Sequence, residues 1–393
     1  MNNSDNFLEL LKGDRPILSD GAMGTLLHQR GARIDECWDF LNISQPATVA
    51  EIHREYIEAG AQIILTNTFG ANRYKLARHG LENRVAEINT AGVELVRRVA
   101  MASFKNIFIA GDVGPLGVRL APFGRVQNAE AQFAFHEQIQ ALIDAGVDLI
   151  MIETMTDLFE IREAVIAGKA ISPTLPIIAS MTFTRDDRTL LGDSPGKVAK
   201  QLNEYGADVI GVNCSGGPNQ ILRILKQMRQ AVPNGRFSVI PNAGFPEQSG
   251  GRVMYSAGPD YFGQYALAFW QAGADVIGGC CGTTAEHIKA MHIAITSTPV
   301  ERVEITQPES KEVEIPSPRD EPTQLAQKLK RGEFVVAVEM DPPRGLSTYK
   351  LIAGASLLSE AQADVINVAD SPMARMRMSP WAVCSLLQRK IGI

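Results

Sequence analysis

The chain has 393 residues, 45% of them hydrophobic and 21% charged, with 38 basic against 44 acidic side chains for a net charge of −6. That length exceeds what one core usually fills, so two domains are expected, and the acidic balance speaks against nucleic acid or an anionic membrane as the main partner. No apolar run reaches bilayer-spanning length and the polar N-terminus lacks the regions of a secretion signal, so a cytoplasmic protein is expected.

The first strand is expected to end near Asp20, where Ser19-Asp-Gly-Ala-Met-Gly-Thr runs into a Gly-rich turn. A helix over 46–59 follows, with Val49, Ile52, Tyr56 and Ile57 on one face. It leads into Glu58-Ala-Gly-Ala-Gln and an apolar run, a phrase that recurs from Asp144, Glu204 and Gln271. Its glycine closes a helix in the left-handed conformation. The run after it is short and uniformly apolar, the mark of a strand buried on both faces. A helix over 129–145 starts after Asn128 as N-cap and turns Phe133, Ile139, Leu142 and Ile143 inward. Another over 195–205 has Ser194 as N-cap and Pro195 at its first position.

Eight strand ends fall before residue 285, near Asp20, Asn67, Asp112, Glu153, Thr182, Cys214, Asn242 and Cys280. Eight βα units over about 290 residues predict an α/β fold of the (β/α)8 TIM-barrel type. A doubly wound open sheet is the alternative, but its dinucleotide-binding form lacks a GxGxxG after the first strand. Residues 298–323 form a Pro/Glu-rich linker. Beyond it, helices over 324–331, 349–362 and 379–390 alternate with a buried-type strand from Phe334 to Met340 and another from Asp364. The domains are thus a barrel over 1–297, the linker, and the first βα units of a second barrel over 324–393.

Strand ends carry the active site in such barrels, and that is where the cysteines lie. Five cysteines, two adjacent, do not make a disulfide framework. Cys214 ends the sixth strand, Cys280 and Cys281 the eighth, and one neighbour separates those strands in the ring. Zinc favours thiolates, and a catalytic site has three protein ligands with one open position; these three cysteines match that count. Any one cysteine is often merely a small buried hydrophobe, and Cys37 and Cys384, which lack such a context, are taken as structural. None of the six histidines is taken as a ligand. Asp20 reads either as a mouth carboxylate beside anion-binding amides or as a solvated turn residue. Glu153 emerges from a buried strand and so needs a cation nearby. Asn242 either serves the site or shapes its loop.

Asp20-Gly-Ala-Met-Gly-Thr, Thr66-Asn-Thr-Phe, Glu153-Thr, Gly211-Val-Asn-Cys, Pro241-Asn-Ala-Gly and Gly278-Gly-Cys-Cys-Gly, in that order, resemble the homocysteine-binding domain of homocysteine S-methyltransferases. The resemblance runs from about Arg15 to Ile295. It implies Zn2+ on Cys214, Cys280 and Cys281, with the homocysteine thiol as fourth ligand. It further implies Asp20 and Glu153 on the substrate ammonium, the amides of Gly21, Ala22 and Met23 on its carboxylate, and Asn242 approaching the metal when substrate is absent. The methyl donor stays open among methyltetrahydrofolate, S-methylmethionine, S-adenosylmethionine and a methylated corrinoid protein. A non-catalytic zinc module is the competing reading; it would need a fourth protein ligand.

Val338-Glu-Met-Asp-Pro-Pro-Arg-Gly and Ala363-Asp-Val-Ile-Asn-Val-Ala-Asp resemble the opening of a 5,10-methylenetetrahydrofolate reductase, with Glu339 matching its proton-donating carboxylate. About seventy residues are too few to close an eight-stranded barrel. FAD is therefore expected only in a full-length protein, and the open strand edge suits self-association into a homo-oligomer.

Overall fold

Short apolar runs, each following a glycine-closed helix, pair side by side into one parallel sheet. Its strands are β1 (Ile17–Leu18), β2 (Ile63–Leu65), β3 (Phe108–Val113), β4 (Leu149–Met155), β5 (Ile177–Met181), β6 (Val209–Cys214), β7 (Phe237–Pro241) and β8 (Val276–Ile277). Chain neighbours pair throughout, β8 pairs with β1, and a parallel bridge between Ser19 and Ile63 joins β1 to β2. The ring so formed sets aside the open doubly wound sheet. The computed structural model describes residues 3–244, 247–249, 252–254, 256–298, 300, 324–345, 347–370 and 377–392. These fall into two units, Met1–Gln307 and Pro308–Ile393. The expected linker lies almost wholly outside the described residues.

Around the ring stand α1 (Pro46–Ala59), α2 (Val85–Ser103), α3 (Asn128–Ala145), α4 (Leu158–Ile171), α5 (Pro195–Tyr205), α6 (Pro218–Ala231), α7 (Pro259–Gln271) and α8 (Ala285–Ser297). Alternation along each strand divides the core in two. Ile17, Ile63, Phe108, Leu149, Ile178, Val209, Ile240 and Val276 fill the barrel interior. Leu18, Ile64, Ile109, Ile150, Ile177, Ile210, Val239 and Ile277 face the helices. A short helix, Asn3–Leu10, adds Phe7 to the interior cluster, its ring edge-on to Phe108 at 5.4 Å.

The recurring phrase is a complete joint. Gly60, Gly146 and Gly206 cap α1, α3 and α5 in the left-handed region. Gly273 does the same one residue beyond the Ala272 cap of α7, at φ 89°. The aspartate after the glycine ties adjacent strands together. Asp148, Asp208 and Asp275 each accept, at 2.8 Å, the N–H of Ile109, Ile177 and Phe237 on the neighbouring strand.

Helix α3 departs from expectation. Its N-cap is Gln127, not Asn128, closed reciprocally with Glu130. Phe133 does not point inward; it is 57% exposed with the Arg73 guanidinium 4.7 Å from its ring. The buried stripe runs through Phe135, Gln138, Ile139 and Leu142, a true i, i+3, i+4, i+7 series that Phe133 does not join.

The second unit contains α9 (Gln324–Lys330), β9 (Ala337–Met340), α10 (Tyr349–Glu360), β10 (Val365–Val368) and α11 (Pro380–Lys390), with β9 parallel to β10. The strand expected from Phe334 starts only at Ala337 and is half-exposed, not buried. Among the described residues its sheet has two strands, and a small cluster of Leu351, Ala355, Val383 and Leu387 is its core. Among the described residues, no helix is long and apolar enough to cross a membrane.

Candidate metal and substrate site

Parity along the strands decides what faces the barrel mouth. Phe108 and Ala110 lie inside, so Asp112 points inward one layer higher. The same count from Leu149 and Met151 turns Glu153 inward, and from Val209 it turns Asn213 inward. Cys280 packs against the interior cluster.

Cys214 should by parity face outward. It does not, because Cys214 and Ser215 both take left-handed backbone, at φ 55° and 50°, a conformation costing about 1–3 kcal/mol per residue. Thr182 at the end of β5 holds this bend. Its Oγ1 accepts the Ser215 N–H at 3.0 Å, while Ser215 Oγ accepts the Phe183 N–H at 2.8 Å. The thiol is thereby brought to the other two.

The sulfurs of Cys214, Cys280 and Cys281 all lie within 4.8 Å of one another, with Cys280 and Cys281 at 4.0 Å. Tetrahedral zinc with bonds of about 2.3 Å needs sulfurs about 3.8 Å apart, so the cluster fits. Its protons are shared unequally. Hydrogen bonds from the Cys280 and Cys281 thiols, and from Asn242, draw the Cys214 pKa down, and donating to Cys214 pushes the other two up. Asn242 is buried, and its Oδ1 has no hydrogen-bond partner among the described residues. Among the described residues this is the one group of three or more metal-ligating side chains, and no histidine joins it.

Beside the thiols stand three carboxylates. Asp20 is 5% exposed, accepts the Leu65 N–H at 3.0 Å, and titrates well above its ordinary range because of burial, with the Leu65 bond opposing and Glu153 adding. Glu153 is pushed up to about 7 by burial and then by the charge on Cys214, with Lys75 opposing. Asp112 is raised by burial and then by Glu153, and its Oδ1 has no hydrogen-bond partner among the described residues. Of the amides after Asp20, that of Ala22 donates to Thr283 Oγ1 at 3.2 Å. Gly21 is required there: a Cβ would come within 2.8 Å of the Tyr56 ring and 2.9 Å of Thr283 Oγ1.

Strand-end counting placed Asp20, Glu153, Cys214, Asn242, Cys280 and Cys281 at this rim, the resemblance added Gly21, Ala22 and Met23, and neither promoted Asp112 or Asn213. Asn213 is completely buried; its Nδ2 donates to Glu153 Oε2 at 2.7 Å and Thr154 Oγ1 at 2.8 Å. Inward parity and adjacency to Cys214 were the available signals. Cys37 rests against a small peripheral cluster and Cys384 is exposed.

The homocysteine S-methyltransferase family model matches residues 17–295. Methionine synthase of Mycobacterium tuberculosis is 31% identical over 299 residues, 72% of this chain and 25% of that protein. Methionine synthase of Mycobacterium leprae is 30% identical over 306 residues, 74% and 25%. The chain thus spans about a quarter of the length of these curated relatives. Among solved structures, the metallated form of the Escherichia coli homocysteine methyltransferase MmuM is 27% identical with a TM-score of 0.62, covering 74% of this chain and 99% of that one. Its oxidized form gives 27% and 0.63 over the same shares.

Proposed function

The chain belongs to the homocysteine S-methyltransferase family, and we propose that its barrel transfers a methyl group to the thiol of homocysteine, giving methionine, with zinc held by Cys214, Cys280 and Cys281. The thiol cluster carries this reading: three sulfurs within 4.8 Å on the rim where such barrels do chemistry. A structural zinc takes four protein ligands and a catalytic one three; the described residues supply three, which favours catalysis over a zinc scaffold. When bound, zinc supplies a low pKa to the substrate thiol and so a sulfur nucleophile at neutral pH.

The protein's own groups position that sulfur. Asp20 and Glu153 receive the substrate ammonium, which replaces the water that burial has taken from their charges. Thr283 fixes the turn through the Ala22 amide, and the amides of the Gly21–Met23 turn receive the substrate carboxylate. Asn242 hydrogen-bonds the Cys214 sulfur and steadies it as an acceptor. The second unit's likeness to the opening of a methylenetetrahydrofolate reductase makes methyltetrahydrofolate the donor to try first.

The test is methionine formation from homocysteine with each of four donors in turn: methyltetrahydrofolate, S-methylmethionine, S-adenosylmethionine and a methylated corrinoid protein. Methionine from at least one, abolished by a chelator and restored by zinc, supports the reading. No methionine from any donor with zinc-loaded protein contradicts it.

A further inference from the structure

Strand β4 is irregular at the point where its functional carboxylate stands. Its register against β5 shifts between Ile152 and Met155, and within that bulge Thr154 takes φ 55°. A β-branched residue resists the left-handed region, so something must hold it there. Asn213 does. Its Oδ1 accepts the Thr154 N–H at 2.8 Å, and its Nδ2 donates to Thr154 Oγ1 at 2.8 Å and to Glu153 Oε2 at 2.7 Å. The same Nδ2 lies 4.0 Å from Cys280 Sγ, and the next residue is Cys214, itself at φ 55°. Two strained segments, one bearing the ammonium-binding carboxylate and one a metal-binding thiol, are clasped across the top of β5 by a single buried amide.

We infer that Asn213 is a positioning residue that locks recognition of the substrate ammonium to the thiol cluster, so that the two ends of homocysteine are read as one distance. The inference rests on the proposed function. It makes Asn213 responsible for preferring an amino-acid thiol over a thiol of the same length without the amine. With the clasp gone, Glu153 loses its donor and the bulge that aims it relaxes, while all three cysteines remain.

The test is calorimetric binding of homocysteine and of its deamino analogue, 4-sulfanylbutanoate, to zinc-loaded wild type and Asn213→Ser, with zinc content measured for each. Wild type should prefer homocysteine by about 10- to 100-fold, the worth of a charge-assisted contact. Asn213→Ser should keep its zinc and bind the analogue within about threefold of wild type, yet lose most of the preference. Thr154→Val, which removes one bond of the clasp and keeps the branched side chain, should give an intermediate preference even if Asn213→Ser fails to fold. Full preference in either folded variant, equal weakening for both thiols, or loss of zinc would overturn the inference. Wild type that binds neither thiol would instead remove the homocysteine reading on which it stands.

Discussion

The two rims of this barrel use the same side chains for opposite purposes. At the N-terminal rim Asp148, Asp208 and Asp275 each accept a neighbouring strand's N–H at 2.8 Å, and Lys169 and Arg236 pair with the last two. At the C-terminal rim Asp20, Asp112 and Glu153 are all pushed toward neutrality, each first by burial, then Asp20 and Asp112 by Glu153 and Glu153 by the charge on Cys214. A carboxylate supplied with a backbone donor and a cation is scaffolding. One buried among like charges holds a destabilised state that a cationic ligand relieves.

Exchanging these roles by mutation tests the contrast. Between the two rims, the larger effect on stability is expected at the lower one. Asp275→Ala strands the buried Phe237 N–H and leaves Arg236 with the Leu11 carbonyl as acceptor, and should cost about 1–3 kcal/mol in urea unfolding. Homocysteine binding by the folded variant should be unchanged. Glu153→Gln should do the reverse, weakening homocysteine binding about 10- to 100-fold by calorimetry without lowering the unfolding midpoint. A stability loss at Glu153 equal to that at Asp275 would erase the distinction between the rims.

Glu160, near the start of α4, offers a pH test. Burial pushes its pKa up to about 7 from the ordinary 4.5, with the Leu116 amide opposing and Asp157 adding. The folded protein holds a proton there that the unfolded chain releases earlier, so wild type loses stability as pH rises from about 4.5 through about 7. Glu160→Gln should escape that loss and be more stable by about 1–3 kcal/mol at pH 8, with the gap closing by pH 4. Parallel pH curves for the two proteins would contradict it.

The smallest effect is expected at Phe133, where Phe133→Ser should change stability by less than about 0.5 kcal/mol because the ring is exposed. Phe135→Ala should cost about 3–5 kcal/mol. That pair measures what the sequence made legible. The recurring glycine and apolar run located the strands, because the left-handed cap and two-sided burial are local requirements that the chain must meet in place. Counting strand ends then brought Cys214, Cys280 and Cys281 to one rim. On α3 the inward face was read correctly at Ile139 and Leu142, but Phe133 was assigned to it in place of Phe135, since two phenylalanines two positions apart compete and only packing chooses. The left-handed bends at Thr154 and Cys214 and the clasp that Asn213 makes were invisible for a similar reason: neither bend falls on a residue that demands such a backbone, and the clasp exists only once β4 and β6 stand either side of β5. The buried strand expected from Phe334 likewise overread a local signal, because burial on both faces needs elements packed on either side, and among the described residues β9 pairs with β10 alone.

The central claim, that three thiols from two strand ends hold a zinc that activates homocysteine, is tested most directly by zinc content and proton release. Wild type and Cys280→Ser are purified under reducing conditions, their zinc is counted, and homocysteine is titrated in weak buffer. About one zinc per wild-type chain is predicted, lost in Cys280→Ser, with about one proton released per homocysteine bound to wild type. Zinc retained by the variant, or homocysteine bound to wild type without proton release, would contradict the account.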